Sequence, residues 1–178
     1  MDGAYRALHS LRAEGTIGAV GLGVNEIEPC LRAAAAGDFD CFMLAGRYTL
    51  LTQEALEELL PVMARKGMSM LIAAPYNSGI LATGAVPGAR YNYLPASAEI
   101  MARVAAIEAI AKRHAVPLQA AALQFPLGHP SVAAVVPGAV NAREVEQNIA
   151  LLRHPIPADF WAELKEQKLL PAHCPVPA

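Results

Sequence analysis

The residues whose types and spacing could do chemistry sit in turns. Residues 132–148, VAAVVPGAVNAREVEQN, hold the clearest case. An unbroken apolar run, 132–136, stops at Pro137-Gly138, and an amphipathic helix follows with Val145, Ile149 and Leu152 on one face. Such a run reads as a strand buried on both faces, as parallel strands are. Asn141 stands where an N-cap belongs, so free helix N–H groups would lie just beyond the strand's carboxyl end and form an anion site. An ordinary strand-to-helix turn has the same pattern, so the case depends on the rest of the chain. Other motifs fail. Gly21-Leu22-Gly23 imitates a dinucleotide fingerprint, but Glu26 replaces the third glycine and the glycines fall inside a strand. Gly79 and Gly84 have the spacing of a P-loop, yet Ala85-Val86 stands in place of Lys-Ser/Thr. The 5 histidines are dispersed, and His129 and His173 read as surface or loop residues. No Ser-His-Asp set, carboxylate pair or metal-ligand spacing assembles.

Composition narrows the classes. The 178 residues suit a single domain, 1–178, with a sizeable core and a Pro-rich tail over 154–178. Hydrophobic residues reach 54%, but no apolar run approaches the ~20 residues of a membrane helix. The N-terminal stretch MDGAYRALHSLRAEG is amphipathic and lacks a signal-peptide pattern. A net charge of −2 with both signs interspersed points away from nucleic acid and anionic membranes. Cys30, Cys41 and Cys174 are odd in number and widely spaced, with no C-x-x-C, so they read as buried or incidental thiols of a reducing compartment. The expectation is a soluble cytoplasmic protein.

These turns must be positioned by an alternation of helices and strands. Ala4, Leu8 and Leu11 trace a first helical face, ended by Gly15. Buried strands are expected over 17–24, 41–45, 68–74 and 132–136. Helices are expected over 26–36, 53–66, 97–114 and 118–127, then after Asn141, with a short one over 160–168. Ser97 opens the long helix as a cap, although Ile100 replaces the reciprocal Glu. The segment 81–95, with Tyr91, Asn92 and Tyr93, reads as a long loop, and such loops are usually functional or mobile. Four strands, each followed by a helix, imply a parallel α/β sheet. It is either a small doubly wound sheet or part of a (β/α)₈ barrel. The barrel is favoured because a helix comes first and the interesting turns follow strand carboxyl ends, where barrel sites lie. A full barrel needs eight strands and about 250 residues, so this chain holds about half of one.

The turns resemble those of aldo-keto reductases. The stretch from Arg12 through Thr16-Ile17-Gly18 to Asn25 is similar to the passage into that family's fifth strand. Residues 75–84, PYNSGILATG, resemble the turn after its seventh strand. His129-Pro130-Ser131-Val132, then Val136-Pro137-Gly138-Ala139, then Glu144, Gln147 and Asn148, resemble its eighth strand and helix. The wording of 45–51 and 76–79 is closest to the aldose dehydrogenase branch. The resemblance implies strands 5–8 of a TIM barrel that moves a hydride between nicotinamide and a carbonyl or hemiacetal carbon of an aldose or small aldehyde. It places Asn25 at the nicotinamide carboxamide and Tyr76 at the stacking ring. Asn77, Ser78, Gly79 and Leu81 fall in the pyrophosphate loop, Gly138, Ala139 and Asn141 at the helix N-terminus, and Gln147 and Asn148 at adenine.

Two departures matter. Where NADP-using relatives carry Lys and Arg, this chain has Gly138 and Glu144. A 2′-phosphate would meet a carboxylate there, whereas a ribose hydroxyl could donate to it, so NAD is expected over NADP. Glu144 could equally be a first-turn acid favoured by the helix dipole. The family's catalytic Asp, Tyr, Lys and His come from its first four strands, which have no counterpart here. No catalytic residue is therefore assigned, and the isolated chain is expected to be inactive. Half a barrel would expose edge strands that recruit an N-terminal half-barrel chain or a second copy. The alternative is a non-catalytic remnant that binds nucleotide or only associates with a partner.

Overall fold

Apolar residues alternate along the strands, and only one of the two sets is buried. The computed structural model describes residues 3–178; Met1 and Asp2, the start of the amphipathic N-terminal stretch, lie outside the described residues. The strands are β1 (Gly21–Val24), β2 (Cys41–Ala45), β3 (Ser69–Ala73), β4 (Arg90–Tyr91), β5 (Leu94–Pro95) and β6 (Val132–Val136). The helices are α1 (Ala4–Ala13), α2 (Ile27–Ala36), α3 (Leu59–Lys66), α4 (Ile80–Thr83), α5 (Ala98–Arg113), α6 (Leu118–Gln124), α7 (Ala142–Leu152) and α8 (Ala158–Glu166). One parallel sheet of four strands has the order β1-β2-β3-β6, and β4 and β5 form a separate antiparallel hairpin. The order follows the chain with no reversal, and the core lies on one side. A doubly wound sheet would reverse its strand order and cover both faces, so that alternative is set aside.

Register decides which residues share a face. Leu22, Phe42, Met70 and Val132 lie abreast, as do Val24, Leu44, Ile72 and Val135. Both rows belong to or pack on the core, which the helices complete with Ala34, Leu60, Ile107, Ala121 and Trp161. Burying one such leucine, isoleucine or phenylalanine contributes roughly 1.5–3 kcal/mol. The opposite face carries Gly23, Met43, Leu71 and Ala134 abreast, then Ala45, Ala73 and Val136. None of these packs on the core, and Met43 and Val136 are exposed.

Several sequence expectations shift. The first strand begins at Gly21 rather than residue 17 and alternates between exposed and half-buried. Just before it, the Val20 N–H donates to the Asp40 carboxylate at 2.6 Å. β6 is buried on one side only, at Val132, because nothing described covers the other face. The helix expected from residue 53 starts at Leu59: the Gln53 side-chain amide donates to the carbonyls of Thr49 (2.7 Å) and Leu50 (3.2 Å) and holds a turn. The long segment 81–95 contains α4 and the β4–β5 hairpin, whose Asn92 and Tyr93 are both left-handed (φ 49° and 66°), as a two-residue type I′ turn requires. The helix expected over 118–127 ends at Gln124 and tightens to a 3₁₀ turn over Phe125–Gly128. The Pro-rich tail is packed, with Phe160, Trp161, Leu164, Leu170 and Cys174 buried. All three cysteines are free. No helix among the described residues is long and apolar enough to cross a membrane.

α1 is fastened mainly by charge. Arg12 reaches Asp40 (2.6 Å) and Asp38 (2.7 Å), and the Asp38 N–H donates to the Tyr5 hydroxyl at 2.7 Å. The Val20 N–H, then the Arg12 guanidinium, hold the Asp40 carboxyl below its ordinary value of 3.8. A carboxyl with a lower pKa in the folded chain stabilises fully above its unfolded pKa, and that stabilisation fades as pH falls through the folded value. The urea midpoint should therefore drop below about pH 4, and Asp40→Asn should flatten that decline while lowering the midpoint at pH 7. An unchanged acid limb in the variant would contradict this role.

Candidate functional site

Parallel strands bring their carboxyl ends to one rim, and the cleft lies there, between the turn after β3 and the helix after β6. Its volume is about 960 Å³. Tyr76, Asn77, Ser78 and Gly79 form one wall; Gly138, Glu144, Gln147 and Asn148 form the other. Eight of the twelve residues singled out from the sequence thus meet in one cavity. Asn25 lies at the end of β1, two strands and so roughly 10 Å from β3. Its carbonyl accepts from Arg47 Nε at 2.9 Å. Ala139 and Asn141 are exposed outside the cleft lining, and Leu81 is fully buried in the core with its N–H bonded to the Tyr76 carbonyl.

The 74–79 turn is held in a conformation that L-residues seldom adopt. Ala74, Asn77 and Ser78 have φ of 50°, 46° and 58°, and Gly79 has 95°. Such residues persist only where surrounding contacts over-determine them, and they gather at functional sites. The contacts are visible. Asn77 is 3% exposed; its Oδ1 accepts from Thr49 Oγ1 at 2.5 Å and its Nδ2 donates to the Gly46 carbonyl at 3.3 Å. Thr49 Oγ1 in turn accepts from the N–H groups of Leu51 (3.3 Å) and Thr52 (3.2 Å). The turn after β3 is thereby stitched to the turn after β2. Ser78 Oγ accepts from the Tyr93 N–H at 3.1 Å, which seats the hairpin beside the same turn.

The opposite wall is a capped helix. Asn141 Oδ1 accepts the Glu144 N–H (3.0 Å), and the Glu144 carboxylate accepts from the Val140 N–H (2.9 Å) and Asn141 Nδ2 (3.2 Å). This is a reciprocal cap of the capping-box kind, so Glu144 both ends the helix and lines the cleft. Across the cavity, the Tyr76 hydroxyl donates to Asn148 Oδ1 at 2.6 Å. Burial pushes the Tyr76 phenol up to about 12.

Sequence reasoning missed Ala82, Gln119, Ala150, Leu151 and His154, which also line the cavity. Leu151 was accessible in principle: Glu144, Gln147, Asn148 and Leu151 follow i, i+3, i+4, i+7 spacing on one helical face. Gln119 carried no such signal, because α6 reaches the site only through packing; its side-chain amide donates to the Ala82 carbonyl at 2.7 Å. No Lys or Arg is among the lining residues, and no cluster of three metal-ligating side chains occurs among the described residues.

A cleft at the carboxyl rim of a parallel α/β sheet is where such folds place their ligand sites. The chain belongs to the aldo/keto reductase family, whose model matches residues 1–168. It is 41% identical over 168 residues to pyridoxal 4-dehydrogenase of Microbacterium luteolum, covering 94% of this chain and 49% of that protein. It is also 41% identical over 169 residues to D-threo-aldose 1-dehydrogenase of a Pseudomonas species, covering 94% and 51%. Both fall in the branch to which the turn wording pointed. Among solved structures, the holo form of aldo-keto reductase AKR11C1 from Bacillus halodurans superposes with a TM-score of 0.72 at 23% identity, over 94% of this chain and 55% of that one, which shows the fold. The chain spans about half the length of the relatives it matches.

The Asn77–Thr49 pair sets the shape of the turn. Thr49→Val should strand the buried Asn77 Oδ1 and the Leu51 and Thr52 N–H groups, lowering stability by about 1–3 kcal/mol. Urea unfolding measures this, and a change below about 0.5 kcal/mol would remove the pair from the site's support.

Proposed function

We propose that this chain is the cofactor-binding half of an aldo-keto reductase barrel, corresponding to strands 5–8, that acts on an aldose or small aldehyde with NAD. The reading is carried by one observation: the left-handed turn 76–79 and the capped helix α7 converge on a single cleft at the carboxyl ends of neighbouring strands. A dinucleotide suits what is there. The volume lies near the upper end of ligand pockets, about 300–1,000 Å³. Space beside Gly79 is open, since a Cβ there would meet nothing within 4 Å, so backbone can approach a phosphate. Gln147 and Asn148 offer amides for a purine, and Tyr76 offers a ring held in place through its hydroxyl. When bound, a nicotinamide supplies a hydride donor or acceptor. The chain's own residues orient and enclose it.

Charge argues for NAD over NADP. The lining lacks a cation and contains the Glu144 carboxylate, and a like charge facing a 2′-phosphate costs several kcal/mol. NAD should bind at least about tenfold tighter than NADP, as read by calorimetric titration of each. Glu144→Gln, which keeps an acceptor for the Val140 N–H, should narrow that ratio with little change in unfolding midpoint; tighter NADP binding by the unmodified chain would refute the assignment.

Proton transfer is a separate matter. The one phenol in the cleft, Tyr76, is bonded to Asn148 and has its pKa raised by burial, which suits a wall residue rather than an acid. That observation favours a second reading, a nucleotide-binding module without chemistry of its own. Purified 178-residue chain should bind NADH yet show no aldehyde reduction or aldose oxidation. Turnover above a heat-denatured control would show that a proton donor is present. The three free thiols accord with a reducing, cytoplasmic setting.

A further inference from the structure

Tyr76 and Asn148 face the cleft from opposite walls and are joined by the 2.6 Å hydrogen bond from the phenol to Asn148 Oδ1. The family resemblance puts the first at the nicotinamide ring and the second at adenine. Two riboses and a pyrophosphate separate those bases in an extended dinucleotide, so two side chains in mutual contact serve the same base. The two assignments exclude one another while the bond is made. Neither side chain is free to swing to a distant subsite. Tyr76 is half-buried and packs against the core, and its carbonyl accepts from the N–H groups of Gly79 (3.0 Å) and Leu81 (3.1 Å) within the left-handed turn. Asn148 is half-buried on α7, beside Gln147 and roughly one 5.4 Å turn beyond Glu144.

The phenol also decides what Asn148 offers a ligand. A free asparagine amide turns either its oxygen or its nitrogen toward a partner. With Oδ1 occupied by Tyr76, the Nδ2 group is left to donate into the cleft, and it has no hydrogen-bond partner among the described residues. A purine ring nitrogen accepts such a donor, and the exocyclic amine of adenine donates in return to an amide carbonyl. Gln147, exposed on the same turn, supplies that carbonyl. Leu151 follows on the same helical face and gives the ring an apolar seat. The phenol itself is tied up as a donor and pushed up to about 12 by burial, which suits it poorly to hand a proton to a substrate. This end of the cleft therefore fits the base that does not react.

The geometry points to Tyr76 as a positioning residue of an adenine subsite: its hydroxyl orients the Asn148 amide so that Nδ2, together with Gln147, reads the edge of the base. Tyr76 is then not the ring that stacks on nicotinamide. The inference rests on the dinucleotide reading above and reassigns one residue within it.

Calorimetric titration of the 178-residue chain with NAD and with ADP-ribose, which lacks the nicotinamide, tests this. Tyr76→Phe keeps the ring and removes the hydroxyl; it should weaken both ligands by the same factor, about three- to tenfold. Asn148→Asp still accepts from the phenol but has no N–H to give, and it should weaken both ligands by about tenfold. In an Asn148→Ala background, Tyr76→Phe should cost less than about twofold, because the amide it positions is gone. A purely structural tyrosine would not lose its effect in that background. The proposal is overturned if Tyr76→Phe weakens NAD but leaves ADP-ribose unchanged, if neither variant changes either affinity, or if the Tyr76 and Asn148 effects add in full. The cofactor reading fails separately. A chain that binds ADP-ribose with these effects but does not bind NAD keeps the subsite and loses the cofactor. A chain that binds NAD without them keeps the cofactor and loses this inference, and binding of neither ligand ends both.

Discussion

The structure depends on the burial of one face of one parallel sheet. Phe42, Leu44, Met70 and Ile72 are fully buried beneath the helices, and each such side chain contributes on the order of 2 kcal/mol. Because parallel strands need a crossover between neighbours, every helix returns the chain to the same starting edge. All carboxyl ends therefore meet at one rim. The cleft is a by-product of that constraint: it forms where two adjacent strands, β3 and β6, are separated in sequence by the longest crossover, 74–131.

Within the cleft, structural and ligand-facing duties fall on the same short segments but on different atoms. Asn77 is spent on Thr49 and the Gly46 carbonyl, so its side chain shapes the turn instead of meeting a ligand. Glu144 accepts from Val140 and Asn141, so the helix-capping and charge-selecting views of that residue coexist in one geometry. Tyr76 and Asn148 hold one another across the cavity, and the strained backbone of 74–79 is carried by this polar framework. The two relatives named are both dehydrogenases.

The other half of the molecule's surface has the opposite character. A protein that buried both sheet faces would leave β1 and β6 with paired neighbours and α1 and α7 with covered stripes. Here both helices lack buried residues, while α1 is anchored chiefly by Arg12 to Asp38 and Asp40.

Much of this was legible in the sequence, where local rules act. Apolar runs bounded by glycine and proline marked all four parallel strands, Ser97 and Asn141 cap the helices they were expected to open, and the 76–79 turn and α7, singled out by their motifs, line one cleft. Local patterns contain no information about what lies across a face. The runs 17–24 and 132–136 looked buried on both sides because hydrophobicity reports suitability for burial, and only the fold reveals that one side has no cover. Asn77's role with Thr49, Gln119's place in the cleft and the packing of the Pro-rich tail all join residues far apart in the chain. Sequence spacing determined the elements and the turns; tertiary packing alone decided which polar atoms were consumed in holding them.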